Sequence, residues 1–225
     1  MRAGIERVSV TEQVFRRLIE DVLSGRYAAG ERLPTQRQLA EDFGVNLGSV
    51  REALKRLEQL RLVDVRHGEA MMVRDWRRDG GLEVLAQAVL SAGVMDRGLL
   101  DAILEARRML LVESARLAAA RRSEEAAERL TGIAGQLVAA GTGGQALDWA
   151  FWAEIVDAAD NVVFRLITNT IRDVYFAHAE LFAGLVADEL APRYAAVAAA
   201  IADGDGTRAA AETQTLAEHQ EARLR

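Results

Sequence analysis

The 225-residue chain has no cysteine, which excludes disulfide staples and thiolate metal sites and fits a reducing compartment. Histidine is nearly as scarce: His67, His178 and His219 lie far apart, and neither of the last two has neighbours that would make it a metal ligand. No run approaches the roughly 18 apolar residues of a membrane span, and Met1 to Glu6 lead into no apolar signal core, so a cytoplasmic protein is expected. Neither a phosphate-binding glycine loop nor a nucleophile beside a base can be found, which weakens any enzymatic reading. The residue patterns that remain point to binding.

Net charge is −6, which by itself disfavours a nucleic-acid partner, but the charge is unevenly spread. Residues 1–78 carry 15 Lys and Arg against 12 Asp and Glu, whereas residues 79–225 carry 13 against 22. A basic module attached to an acidic body leaves this asymmetry. A surplus of three is small, so attraction to phosphates must come from clustering.

The clustering is found between Thr35 and Leu57. Val10–Leu23 first forms an apolar stripe at helical spacing that stops at Gly25. Gly30-Glu31-Arg32-Leu33-Pro34 reads as a turn, and Thr35 with Gln38 has capping-box spacing for a second helix ending near Gly44. Asn46 can cap a third, running to about Arg61. This pair buries Leu39, Ala40, Val50, Leu54 and Leu57 and leaves Arg37, Arg51 and Lys55 outside, the pattern of a helix-turn-helix. Residues 62–66 and 70–74 flank His67-Gly68 as a hairpin, completing a winged helix over 1–75.

A polar linker is expected at 76–81, followed over 82–225 by about seven helices rich in Ala, Leu and Val. The expected architecture is therefore mostly α: a winged helix-turn-helix followed by an all-α bundle. On the helix after Gly93, Leu100, Ile103, Leu110, Ser114 and Leu117 form a stripe that contains Arg107. A buried guanidinium needs an anion, which is either Asp148 or a ligand carboxylate or phosphate. Trp152 and Tyr194 suit a core, as aromatics at helical spacing usually do.

The run from Gly30 to Ala40, then Gly44-Val45 and Val50 to Glu58, resembles the signature of the GntR superfamily of bacterial transcription regulators. Glu105-Ala106-Arg107, Asp148 ahead of Phe151-Trp152, Ala159-Asp160-Asn161 and Ala200 to Asp205 resemble its FadR and FCD branch. The resemblance implies a homodimer bound to a palindromic operator in double-stranded DNA, usually as a repressor, with a small-molecule effector in the helical domain. It places Arg37 and Arg51 on DNA, Asn46, Leu47, Gly48 and Ser49 at the start of the recognition helix, and His67-Gly68 in the minor groove. Leu47 stands where relatives have an arginine, so a thymine methyl is its natural contact. Glu69 replaces a basic wing residue. Metal-binding FCD domains pair an aspartate with three histidines; here Asp148 is kept, while Trp152, Tyr194 and Leu216 take the histidine positions. No metal is expected, and Arg107, Asp148, Trp152 and Tyr194 are the candidate effector pocket, for an acyl-CoA or a small organic acid. The alternative is a small-molecule enzyme on the helical domain.

Overall fold

A computed structural model describes residues 8–66, 70–90, 94–139, 144–177, 182 and 187–224. They form two compact units, residues 1–96 and 97–225.

In the first unit, α1 (Val10–Leu23) begins at Ser9, whose hydroxyl accepts the Glu12 N–H, and buries Val14, Phe15, Leu18, Ile19 and Val22. α2 (Gln36–Phe43) starts with the expected capping box: Thr35 Oγ1 accepts from Gln38 N–H, and Gln38 Oε1 accepts from Thr35 N–H. It ends at Gly44 with φ 63, a left-handed conformation that costs glycine little. α3 (Leu47–Gln59) starts where Asn46 Oδ1 accepts the Ser49 N–H at 2.9 Å. It stops two residues short of Arg61, whose φ of 58 turns the chain into the hairpin. Leu39, Val50, Leu54 and Leu57 are buried as the apolar spacing requires; Ala40 is only partly covered.

β1 (Val63–Arg66) and β2 (Ala70–Val73) pair antiparallel, with Val63 opposite Val73 and Arg66 opposite Ala70. The tip, with His67, Gly68 and Glu69, lies outside the described residues. The segment expected only to turn, Gly30 to Leu33, also supplies a third backbone edge. Gly30 N–H donates to Val73 O, Val73 N–H to Glu31 O, and Leu33 N–H to Met71 O. A two-stranded hairpin leaves one edge of each strand without backbone partners, and this segment satisfies that of β2.

The division between units comes at Asp96–Arg97, later than the linker expected at 76–81. Asp75 caps a helical turn, α4 (Trp76–Asp79), and α5 (Leu82–Leu90) buries Val84 and Ala88 and packs on α1. The glycines Gly80 and Gly81 thus separate two helices of one unit.

The second unit is all-helical among its described residues, in keeping with the mostly α fold expected. It comprises α6 (Arg97–Arg121), α7 (Glu124–Ala139), α8 (Gln145–Ala158), α9 (Val162–Ala177), α10 (Ala191–Ala202) and α11 (Gly206–Ala222). The short 3-10 turn Asp188–Leu190 leads into α10. Its core joins Leu111, Ala115, Ala118, Leu130, Phe151, Ile155, Tyr194, Ile201 and Leu216. The buried side of α6 is Leu104, Leu111, Ser114, Ala115, Ala118 and Ala119. This corrects the expected stripe: Leu100, Ile103, Leu110 and Leu117 are only partly covered, and Arg107 sits with them at the edge. Small alanines let α10 and α11 approach α6 closely, so the packed face follows them rather than the larger leucines.

α6 and α11 meet along a long seam, where Arg107 bonds Gln220 and Arg108 bonds Glu221. Ser114 and Thr213 on the same two helices are fully buried, and their hydroxyls have no hydrogen-bond partner among the described residues. A buried hydroxyl without a partner costs free energy that an isosteric methyl would not. Thr213→Val is therefore expected to raise stability by about 1 kcal/mol, measured as a higher urea midpoint at unchanged slope.

Candidate functional site

On the first unit, the outward face of the helix pair carries Arg37, Arg51 and Lys55, all exposed. Arg51 does not wave freely: its Nε donates to Gln36 Oε1 at 3.2 Å, bracing α3 against the first residue of α2. No described residue bonds its terminal nitrogens, which leaves the paired donors that suit guanine or phosphate. Arg56, by contrast, turns inward. Its guanidinium stacks 3.6 Å from the Phe15 ring centroid and its Nη1 donates to Glu12 at 2.7 Å, which holds the Glu12 carboxyl below its usual range.

At the start of α3, Asn46 is exposed and its Oδ1 is committed to capping. Leu47 is half-exposed and Gly48 exposed, so the positively polarised helix terminus is open to an approaching phosphate. A Cβ at Gly48 would come within 3.1 Å of Asn46 Oδ1, so the glycine leaves room for the cap. Ser49 does not share this outward face: at 8% exposure it is buried under the helix start, because its position turns towards the Val50 and Ala53 side. His67 and Gly68 lie outside the described residues.

In the second unit, the centre is Asp148, 1% exposed on α8. Four donors converge on it. Trp152 Nε1–H (2.9 Å), Tyr194 O–H (2.6 Å) and a Gln220 Nε2–H (3.1 Å) donate to Oδ1, and Tyr175 O–H (2.6 Å) donates to Oδ2. These come from α8, α10, α11 and α9, so one carboxylate draws four helices together. Such a set satisfies a buried charge without a counter-ion. Phe151 packs edge-on against both Trp152 and Tyr194, and Trp149 and Phe182 flank Tyr175.

Arg107 does not pair with Asp148, one of the two partners open from the sequence. Its Nη2 donates 2.8 Å to Gln220 Oε1, and the Gln220 Nε2–H hands the contact on to Asp148 Oδ1 and to the Tyr194 hydroxyl oxygen. The guanidinium carbon lies 5.7 Å from the Trp152 ring centroid. The Arg107 Nη1 atom is buried and has no acceptor among the described residues. Arg107, Asp148, Trp152 and Tyr194 are thus brought together as expected from sequence. Tyr175 and Gln220 complete the cluster and were missed. Gln220 lies one helical turn beyond Leu216, on the same face of α11, which is the one sequence signal that would have found it.

Leu216 is buried in the core, and among the described residues no group of three or more His, Cys, Asp or Glu side chains could hold a metal ion. The donor set does not fit a cation, because four N–H and O–H hydrogens already point at the carboxylate oxygens. His219 is exposed, bonded to the Thr215 carbonyl and to Arg193, and His178 lies outside the described residues.

Two family models match the chain: "Bacterial regulatory proteins, gntR family" over residues 10–73 and "FCD domain" over residues 102–219. The chain belongs to the GntR family and carries an FCD domain. It is 39% identical over 221 residues to the HTH-type transcriptional regulator Mce2R of Mycobacterium tuberculosis, covering 95% of this chain and 91% of that one. Identity to the HTH-type transcriptional regulator LutR of Bacillus subtilis is 29%, over 68% of this chain and 69% of that one. A fatty acid metabolism regulator protein of Serratia proteamaculans is 27% identical, over 70% and 66% of the two chains. Among solved structures, Lar of Listeria monocytogenes shares the fold at a TM-score of 0.54 and 14% identity, covering 98% of each chain.

This GntR regulator is a DNA-binding transcription regulator with an effector-binding domain, and the enzyme alternative falls with that assignment. No helix among the described residues is long and apolar enough to cross a membrane.

Burial, followed by the negative charge of Asp148, pushes both Tyr175 and Tyr194 far above the ordinary phenol range. Above about pH 10 the unfolded chain releases these protons while the folded chain keeps them, so stability falls as pH rises past that point. In an alkaline titration followed by phenolate absorbance, Tyr175 and Tyr194 are expected to ionise only with unfolding. Tyr175→Phe and Tyr194→Phe should each remove one unfolding-linked ionisation.

Proposed function

We propose that this regulator acts in the cytoplasm as a homodimeric repressor on a palindromic operator, and that an organic anion bound in the helical domain changes its grip. On the DNA side, Arg37 and Arg51 and the open start of α3 at Leu47-Gly48 supply the contacts, with His67-Gly68 as the wing tip. Leu47 offers an apolar contact for a thymine methyl in place of an arginine.

On the effector side, the observation that carries the reading is the buried Arg107 Nη1, without an acceptor among the described residues, beside a carboxylate whose own needs are met. A buried guanidinium N–H with no partner is a costly arrangement that an incoming carboxylate or phosphate relieves. Asp148, Trp152 and Tyr194 form the wall that holds Gln220 and Arg107 in place. Two effector classes fit this chemistry, a small carboxylate and an acyl-CoA. The names of relatives that regulate fatty acid metabolism lend weight to the second. The hydrogen-bonded cage takes the place of a metal, so no metal cofactor is required.

Operator binding should weaken steeply with rising salt, and Arg51→Ala should cost about 1–3 kcal/mol on the protein's own promoter fragment, read by a fluorescence-anisotropy titration. Binding that is indifferent to both salt and Arg51 contradicts the DNA reading. Native mass spectrometry of the purified protein tests the effector reading. An added mass of an organic anion that disappears in Arg107→Met supports it, whereas stoichiometric zinc or nickel overturns the cage argument.

A further inference from the structure

Of the 28 lysines and arginines in the chain, 27 are arginine and one is lysine, Lys55. Arginine supplies the positive charge everywhere else, and the two side chains differ in chemistry: the lysine amine accepts an acyl group and loses its charge in doing so. Lys55 stands on the exposed side of α3, four residues and about one turn beyond Arg51, so both project from the same face of the helix. The neighbouring cation Arg56 is committed to Glu12 and to the Phe15 ring. Lys55 has no ion-pair or hydrogen-bond partner among the described residues. Glu52 and Glu58, three residues to either side of it, are also exposed.

We infer that Lys55 is a site of acylation by an acyl thioester, and that the modification loosens the protein's hold on its operator. The lone pair of the free amine Nζ attacks the thioester carbonyl. An N–C bond forms, the C–S bond breaks, and the departing thiolate takes up, through solvent, the proton that the nitrogen sheds. A neutral secondary amide replaces the ammonium, and nothing is oxidised or reduced. The first 78 residues carry a surplus of only three positive charges, 15 against 12, so one amide removes a third of it. The loss falls on the face that also holds Arg37 and Arg51, where clustering supplies the attraction to phosphates. It also leaves the carboxylates of Glu52 and Glu58 with no cation between them on that face, which adds repulsion to the lost attraction.

The inference rests on the DNA side of the preceding section and adds a means of regulating it. Peptide mass spectrometry of the full chain, isolated from the cells that make it, should find an acyl group on Lys55 in a fraction that rises when those cells are fed acetate. Purified protein treated with acetyl-CoA should then be titrated against its promoter fragment over a salt series. Loss of one phosphate contact should weaken binding about 5-fold for each bound chain at roughly 0.15 M salt, and make the salt slope shallower by about one per chain. Lys55→Gln should reproduce both changes. Lys55→Arg after the same treatment should bind as it does untreated, which separates Lys55 from the terminal amine. Lys55 is exposed, so the circular dichroism spectrum and thermal midpoint should stay the same throughout. A chain from its own cells with no acyl group on Lys55 overturns the inference, and so does an acetylated chain with unaltered affinity and salt slope. Untreated protein whose DNA binding ignores both salt and Arg51 overturns the DNA reading itself.

Discussion

A carboxylate sealed from water must be surrounded by hydrogen-bond donors, and the helical unit is organised around that requirement at Asp148. Its two oxygens collect hydrogens from Trp152, Tyr175, Tyr194 and Gln220, which stand on four different helices. Removing the charge would leave those donors facing nothing, and removing a donor would leave the charge short. The cage therefore sets how α8, α9, α10 and α11 can be arranged relative to one another, over and above the apolar core around Phe151, Ile155 and Ile201.

The same cage explains why Arg107 is available. Had Asp148 been left with a free oxygen, the guanidinium would be its natural partner and the site would close as an internal ion pair. Because Gln220 stands between them, accepting from Arg107 and donating to Asp148, the positive charge keeps one buried nitrogen unspent. The amide also gives the site a direction. Its carbonyl end belongs to the cation and its amino end to the anion, so a change at Arg107 reaches the tyrosines through a single side chain.

The winged-helix unit was largely legible in the sequence, because its determinants are local. Thr35 with Gln38, Gly44, and Asn46 with Ser49 are each separated by four residues or fewer from the groups they satisfy, and each fixed a helix end where it was expected. The third edge at residues 30–33 was not legible, since its partners Met71 and Val73 lie some forty residues on. In the helical unit Asp148 and Trp152 are one turn apart and could be paired by spacing alone. Tyr175 and Gln220 are 27 and 72 residues from Asp148, and periodicity carries no information about which helices will face each other. The misplaced stripe on α6 has a related cause: leucines signal burial more strongly than alanines in a sequence, yet the alanines mark where two helices come closest.

The brace between Gln36 and Arg51 gives the first residue of α2 a part in setting how an arginine of α3 is presented. Arg51 reaches outward with its Nε already fixed, so the angle of its terminal nitrogens is inherited from the first residue of α2. Two proteins with identical third helices but different residues at position 36 would present the same arginine along different trajectories. On the DNA reading proposed above, operator preference in such a pair would diverge with no change anywhere on the third helix.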